Sequence, residues 1–307
     1  MADPDPQLDD VFATMREADP SGQILGRVFR SAFDFLYDGQ RTGRYSPMQL
    51  SKTEKAHCGS VVEINMRRSL DAVISDGTLL DFRIAGHEVD CKFSLSRGGW
   101  MLPPECFGEL LIVCHASDEE GTWSVGMVRA LESHLNAGRN RDGKTTLNAT
   151  GRDAIRWLFL NAELPPNALL HQPPEKLNTI FTPRSGQRRV DALFREVQLT
   201  PISRSVVATV AQQDDYMKRV RYNGGSRTNL QPEGILIAGG DYEVHRSIAL
   251  QLGAPDVLPG EFVSFTVVPA AASEHGVTIE GSKWRIASAG ETPTVAAPLL
   301  PSVRRGT

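Results

Sequence analysis

Asp81, Asp90 and Lys92 are the residues whose types and spacing could do chemistry. They sit in the stretch Leu79-Leu80-Asp81-Phe82-Arg83-Ile84-Ala85-Gly86-His87-Glu88-Val89-Asp90-Cys91-Lys92-Phe93. Two apolar-rich runs flank Gly86-His87, which predicts a β-hairpin with those two residues as its loop. In that register position 81 pairs with 92, and 83 with 90. Opposed residues share one face of a sheet and successive side chains alternate, so Asp81, Asp90 and Lys92 are expected on the same side. Cross-strand Cβ atoms lie roughly 4.5–5.5 Å apart, and positions two apart on a strand roughly 6.5–7 Å. Two carboxylates and an ammonium at such distances can hold Mg²⁺ against a phosphate and place a water behind it, which fits phosphodiester hydrolysis. On the other face Leu80, Phe82 and Ile84 meet Val89, Cys91 and Phe93, all apolar, as a core-facing side should be. The D-x-K spacing alone would describe a solvated edge hairpin equally well. A preceding Asp81 in matching register and an upstream Glu63 favour the chemical reading.

Glu63 lies in Gly59-Ser60-Val61-Val62-Glu63-Ile64-Asn65, a stretch that reads as helical. A third carboxylate would strengthen a Mg²⁺ site, since that ion takes oxygen ligands and keeps several waters. Glu88 shares the charged face but adjoins the turn, which makes it a lesser candidate. In the expected mechanism Asp81 and Asp90 coordinate Mg²⁺, and Glu63 completes or bridges the site. Lys92 hydrogen-bonds the attacking water and the phosphate oxygens, offsetting charge in the transition state. In-line attack would leave a 5′-phosphate and a 3′-hydroxyl.

The elements that must position these groups follow from periodicity. Residues 7–37 predict helices, with Leu8, Val11, Phe12 and Met15, then Ile24, Val28, Phe29, Ala32, Phe33 and Leu36, at helical spacing. A further helix is expected over 51–69. Strands are expected at 79–85, 88–95, 109–115 and 122–130, and a short helix at 147–160. This order predicts an α/β domain with a mixed sheet over residues 1–160. Prolines at 165, 166, 173 and 174 interrupt the pattern, so a linker is expected at 161–173. Residues 174–307 read as an α+β winged-helix (helix-turn-helix) domain. Its expected helices are 175–181, 187–197, one through Tyr216, Met217 and Val220, and 241–252. Its expected strands are 205–211, 234–238 and 261–268, and 290–307 read as a loose tail.

The 307 residues carry a net charge of −4 and a pI near 6.0, which argues against a protein that coats nucleic acid indiscriminately. The charge is uneven, however. Between Arg184 and Arg227 nine basic residues face four acidic ones, a local charge of +5. That excess suits phosphate contact in one place. Arg184, Arg188, Arg189, Arg195, Lys218, Arg219, Arg221 and Arg227 are the DNA-contact candidates, with Gly224-Gly225-Ser226-Arg227 as a possible wing tip. No apolar run reaches about 18 residues, so no transmembrane helix is expected. The acidic N-terminus does not read as a signal peptide, so none is expected. The four cysteines, at 58, 91, 106 and 114, form no C-x-x-C pair. They are expected to be reduced thiols in a cytoplasmic protein.

Three further motifs stand out. Leu36-Tyr37-Asp38-Gly39-Gln40-Arg41 resembles the nucleotidyl-lysine motif of DNA ligases, K-x-D-G-x-R. Leu36 stands where the nucleophile belongs, and without an amine no lysyl-adenylate can form. A helix end and a polar turn carrying Arg41 and Arg44 is the alternative, with DNA contact by those arginines left open. Lys52, Lys55 and His57 read as solvated surface or phosphate contacts. Cys114-His115 reads as a strand position, because no second ligand pair has metal spacing.

Longer matches then bring in a family. The chain resembles the NaeI-type restriction endonucleases along nearly its whole length. The resemblance is carried by LYDGQRTGRY at 36–45, KTEKAH at 52–57, VEIN at 62–65, DCKF at 90–93, WMLPPE at 100–105 and TVAQQDDYMKRVR at 209–221. It implies an N-terminal nuclease domain of the PD-(D/E)xK type joined to a C-terminal winged-helix domain. It also implies a Mg²⁺-dependent homodimer that cuts double-stranded DNA at a GC-rich six-base palindrome. A second DNA copy, held by the C-terminal domain, would stimulate cutting. The family's catalytic acids and lysine fall on Glu63, Asp81, Asp90 and Lys92, although the Glu63–Asp81 spacing is longer than the pattern. Two other readings remain: a winged-helix DNA-binding regulator with an inactive nuclease-like domain, and a nicking endonuclease of the MutH type.

Overall fold

The computed structural model describes residues 4–221 and 223–301. Two compact units emerge: Met1–Leu36 with Ser46–Pro166, and Tyr37–Tyr45 with Asn167–Thr307. The chain therefore leaves the first unit at Leu36, contributes nine residues to the second, and returns at Ser46.

The first unit begins with helices α1 (Pro6–Ala18) and α2 (Gln23–Tyr37). Asp5 caps α1 by accepting the Leu8 amide at 3.1 Å. The short α3 (Gly39–Thr42) belongs to the second unit. Helix α4 (Lys52–Ser69) starts where the sequence places a capping box: Ser51 Oγ accepts the Glu54 amide, and the Glu54 carboxylate accepts the Ser51 amide.

Six strands follow in chain order: β1 (Ile74–Asp76), β2 (Phe82–Ile84), β3 (His87–Ser94), β4 (Leu110–Ser117), β5 (Thr122–Arg129) and β6 (Arg156–Glu163). Only the β3–β4 pair is parallel, so the sheet is mixed, as expected. The helix expected at 147–160 is shorter. It ends as α5 (Ala149–Asp153), and Arg156 to Glu163 form an edge strand paired with β5. Trp157 and Phe159 are aromatic residues that suit a pleated surface better than a helix.

The hairpin register also differs from the one expected. Phe82 pairs with Val89, Arg83 with Glu88 and Ile84 with His87. The loop is therefore Ala85-Gly86, and both residues have positive φ, 51° and 83°. That conformation is the one a two-residue loop needs to match the twist of its strands. The slip amounts to two positions in the pairing, which preserves the faces.

The sheet has two differently covered sides. Phe93 and Trp123 meet Phe29 of α2, with ring centroids 6.1 and 5.4 Å away. Leu111, Val113 and Val128 face the other way, into a cluster with Trp100, Leu102, Cys106, Leu135, Leu147 and Ile155. Trp100 Nε1 donates to the Cys114 carbonyl at 2.7 Å and fixes this loop-borne layer to β4.

In the second unit, α6 (Pro174–Phe181) and α7 (Gly186–Glu196) precede β7 (Ile202–Ser203), α8 (Arg204–Ala211) and α9 (Ser226–Asn229). Then come β8 (Ile235–Gly239), α10 (Glu243–Gln251), β9 (Glu261–Pro269), β10 (Val277–Ile279) and β11 (Ser282–Ile286). Strand β9 is central: β7, β8 and β11 all pair with it antiparallel, and β10 pairs with β11. Alternate residues of β8 serve two cores, Ile235 and Ile237 toward the helices α6–α8, Leu236 and Ala238 toward α10.

Residues 205–211, expected as a strand, are helical instead. Ser203 Oγ accepts the Val206 amide and starts α8. Packing on both sides then overrides the β-branched composition of Val206, Val207, Thr209 and Val210. The expected helix at 216–220 is a short 3-10 turn, Tyr216–Arg219. Up to Pro301 the expected loose tail is attached: Ala297 and Leu300 are buried, and the Ala297 amide donates to the Gln231 carbonyl at 2.9 Å. Residues 302–307 lie outside the described residues. No helix among the described residues is long and apolar enough to cross a membrane.

Candidate active site

Three of the four candidate site residues hang on one hairpin. Asp90 pairs with Leu111 and Lys92 with Val113 in the parallel β3–β4 ladder. Paired residues project to the same face, so both side chains rise on the Trp100–Cys106 side. Lys92 Nζ lies 2.5 Å from Asp90 Oδ2 and 3.9 Å from Asp81 Oδ2. The fold thus gathers Asp81, Asp90 and Lys92 around one point. Asp81 is held in place through its own carboxylate, whose Oδ2 accepts the Cys91 amide at 2.9 Å.

Asp90 is nearly fully buried, and the Lys92 ammonium lies against its Oδ2. Its carboxylate forms a close ion pair with Lys92. Burial raises the Asp90 carboxyl above its ordinary range, Lys92 opposes that shift, and Asp81 adds to it. For Lys92 burial works against the charged form, but the neighbouring Asp90 overcomes it and the ammonium titrates above its usual value.

Glu63 arrives from α4 on a different element. Burial raises its carboxyl, Asp81 and then Asp90 contribute in the same direction, and Arg67 and Lys92 oppose. Glu63 Oε1 accepts Arg67 Nη2 at 3.0 Å, and Arg67 Nη1 reaches Asp76 Oδ1 at 2.5 Å. Arg67 stands four residues beyond Glu63, the spacing at which opposite charges meet on a helix, so this partner was readable from the sequence. It ties α4 to the edge strand beside the hairpin.

Glu88 is taken up by the chain itself. Its carboxylate accepts the amides of Thr78, Leu79 and Leu80 and pairs with Arg83 across the hairpin. Those hydrogen bonds, Arg83 first, hold the Glu88 carboxyl down at about 2. Sequence reasoning missed this role: Gly77-Thr78 ahead of Asp81 was a visible signal, but Arg83 comes opposite Glu88 only in the observed register.

Among the described residues no group of three or more His, Cys, Asp and Glu side chains is arranged to hold a metal ion. Two carboxylates with a substrate phosphate and waters are an ordinary Mg²⁺ environment. The all-oxygen pair Asp81 and Asp90, whose Oδ2 atoms lie 3.9 and 2.5 Å from one ammonium, fits such an ion. Glu63 does not complete a three-carboxylate set here. All four cysteines are buried, free thiols.

This geometry coincides with a clear kinship. The family model described as "Restriction endonuclease NaeI" matches residues 9–295. The type II restriction enzyme NaeI of Lentzea aerocolonigenes is 44% identical over 309 aligned positions, covering 98% of this chain and 96% of that protein. The chain belongs to the NaeI restriction endonuclease family. It is accordingly a hydrolase of the type II restriction class, a site-specific endonuclease.

The basic candidates of this NaeI-family chain separate into two groups. Arg184, Arg188 and Arg221 are exposed. The Arg41 side chain is 83% exposed, 3.7 Å from Asp38. Lys218 and Arg219 lean on Asp215 at 3.6 and 3.0 Å. Arg44 Nε donates to the Tyr37 carbonyl at 3.2 Å. The others are engaged inside the unit. Arg189 donates to the carbonyls of Val210 (2.6 Å), Ala211 (2.7 Å), Pro183 (3.1 Å) and Arg184 (3.2 Å). Arg195 makes a two-point pair with Glu233, both contacts at 2.7 Å. Arg227, expected at a wing tip, is only 9% exposed and donates to the Ile237 carbonyl at 3.0 Å.

Proposed function

We propose that this chain hydrolyses both strands of DNA at a short GC-rich palindrome in a Mg²⁺-dependent reaction. Cutting is stimulated by a second DNA copy held on the C-terminal unit. The observation that carries the reading is the Asp81–Asp90–Lys92 constellation in a chain of this family. Asp81 and Asp90 would hold the ion, with Glu63 beside them. When bound, the ion polarises the scissile phosphate and lowers the pKa of a water. Lys92 hydrogen-bonds the phosphate oxygens and offsets their developing charge. Water oxygen bonds to phosphorus as the bond to the 3′ oxygen breaks, leaving a 5′-phosphate and a 3′-hydroxyl.

The C-terminal unit is read as a winged helix. Helix α7, strand β7, helices α8 and α9, strand β8, helix α10 and strand β9 follow in that order, with β9 paired between β7 and β8. This order supports the reading. Arg41, Arg44, Arg184, Arg188, Lys218, Arg219 and Arg221 are proposed as its phosphate contacts, and the enzyme as a cytoplasmic homodimer. Arg189, Arg195 and Arg227, already engaged within the unit, are proposed to shape that surface rather than touch DNA.

Digestion of a plasmid of known sequence, with and without Mg²⁺ and with added short duplexes, tests this. Linear product that requires the ion and rises with added duplex is expected. Nicked circles alone would favour a MutH-like enzyme, and binding without any cut would favour a regulator.

A further inference from the structure

We propose that Glu88 is a positioning residue for Asp81, acting through the backbone turn that delivers it. The proposal rests on the reading of Asp81 as a metal-holding carboxylate given above. Three successive amides converge on the Glu88 carboxylate: Thr78 at 3.0 and 3.1 Å, Leu79 at 3.0 Å and Leu80 at 3.1 Å. Consecutive N–H groups aimed at one anion form a nest, here filled by a side chain of the same hairpin. Arg83 completes the clasp, with Nη2 2.8 Å and Nε 3.2 Å from Glu88 Oε1 and Nη2 3.3 Å from Thr78 Oγ1.

Leu79 at the middle of the turn is 86% exposed. Gly77 shows how close the turn is: a Cβ there would lie 2.1 Å from the Leu80 carbonyl oxygen and 2.9 Å from Glu88 Oε2. Asp81 is the next residue after the clasped amides, and Phe82 already pairs with Val89. The Asp81 backbone is thereby fixed from both sides, by the Glu88 clasp before it and the β2–β3 ladder after it. Glu88, two residues before Asp90 on β3, thus sets the separation of the two carboxylates without touching substrate.

The test is Glu88→Gln, which keeps the shape but loses the charge that holds three donors. Cleavage is measured against Mg²⁺ concentration, and Ca²⁺ binding to the protein–DNA complex is measured by calorimetry. The expected result is a half-saturating Mg²⁺ concentration about 10–100-fold higher, as for residues that orient metal ligands. Ca²⁺ affinity should weaken by a similar factor. The rate at saturating Mg²⁺ should stay within a few-fold, and metal-free DNA binding should not change. Glu88→Asp should recover part of the loss. A general loss of folding would lower DNA binding and maximal rate together. If Glu88→Gln fails to fold, Arg83→Gln, which leaves the carboxylate in place, should raise the metal requirement a few-fold. An unchanged metal requirement in the folded variant, beside an inactive Asp81→Ala, overturns the positioning role and leaves the proposed function standing. Cleavage by Asp81→Ala would instead remove the reading on which both depend.

Discussion

Lys92 Nζ stands 2.5 Å from Asp90 Oδ2, and Asp90 is nearly fully buried. The pair is held by charge, inside a face whose neighbours are apolar. Removing the ammonium leaves a desolvated carboxylate and no cation for the scissile phosphate. Lys92→Ala should therefore cut DNA about 10²–10³-fold more slowly, the usual loss for one electrostatic group aimed at a developing charge. Asp90→Ala should abolish cutting and spare DNA binding. Single-turnover cleavage and gel shift on the same duplex check both, and retained cutting by Asp90→Ala would remove this site.

Burial raises both Glu63 and Asp90 above their ordinary values. Cations bind the ionised forms, so protons and Mg²⁺ compete for them. The cleavage rate should fall as pH drops, beginning above the pH at which exposed carboxylates titrate. Raising Mg²⁺ should shift that fall to lower pH, and EDTA should stop cutting at any pH. A pH–rate profile at two Mg²⁺ concentrations decides it: superimposable curves would separate these carboxylates from the ion.

Arg189 and Arg188 are sequence neighbours with different surroundings. Arg189 donates to four backbone carbonyls, two of them at the end of α8, whereas Arg188 is exposed. Arg189→Ala leaves carbonyls without donors and should destabilise the second unit by on the order of 3 kcal/mol. Arg188→Ala should leave the melting temperature unchanged and reduce the salt slope of DNA binding by about one. Thermal melts and binding at several salt concentrations distinguish them. An equal melting temperature for both variants would show that Arg189 is not structural.

The contrast between those arginines marks how far sequence reasoning reaches. The charged face was legible because the period of a strand is two, and a register slip of two positions leaves every side chain on its side. The loop residues themselves were misplaced by one, since Ala85 tolerates positive φ only in the context of the closed hairpin. Helix α4 was legible from its periodicity, and its cap went unread although Ser51 and Glu54 are local partners. Residues 205–211 were not, because their β-branched run favours a strand until burial among the helices of that unit's core decides otherwise. The inward turn of Arg227 was equally hidden: its acceptor, the Ile237 carbonyl, is set by tertiary packing. The placement of Tyr37–Tyr45 in the second unit depends on contacts with residues far along the chain.

That segment is seated with little room. A Cβ on Gly39 would lie 2.0 Å from Thr209 Oγ1 and 2.8 Å from the Arg44 carbonyl oxygen. Tyr45 stacks on Phe181 with ring centroids 5.6 Å apart, and Gln40 reaches Asp214 at 3.1 Å. Gly39→Ala should cost about 1–3 kcal/mol as an overpacking substitution. It should also speed tryptic cleavage after the exposed Arg41. Thr209→Ala should rescue only part of the loss, because the Arg44 carbonyl remains in the way. Wild-type melting and proteolysis of Gly39→Ala would show that the segment is not seated in the second unit.

His245 gives the second unit a pH dependence of its own. Its Nε2 donates to the Pro301 carbonyl at 3.1 Å, and its Nδ1 has no partner among the described residues. Burial lowers its pKa to about 4, and the charge of Arg227 adds to that. An unfolded histidine titrates near 6.5. Between those values the unfolded chain binds a proton that the folded unit excludes, so stability falls as pH drops from about 6.5 to about 4. The full loss is on the order of 3 kcal/mol. It is complete only below the folded value and absent above the unfolded one. His245→Phe, which cannot take up the proton, should flatten this slope in thermal melts between pH 4 and 7. The side chain would lose its hydrogen bond to Pro301, so a lower melting temperature at pH 7 is also expected. An unchanged slope in that variant would assign the acid sensitivity to other groups.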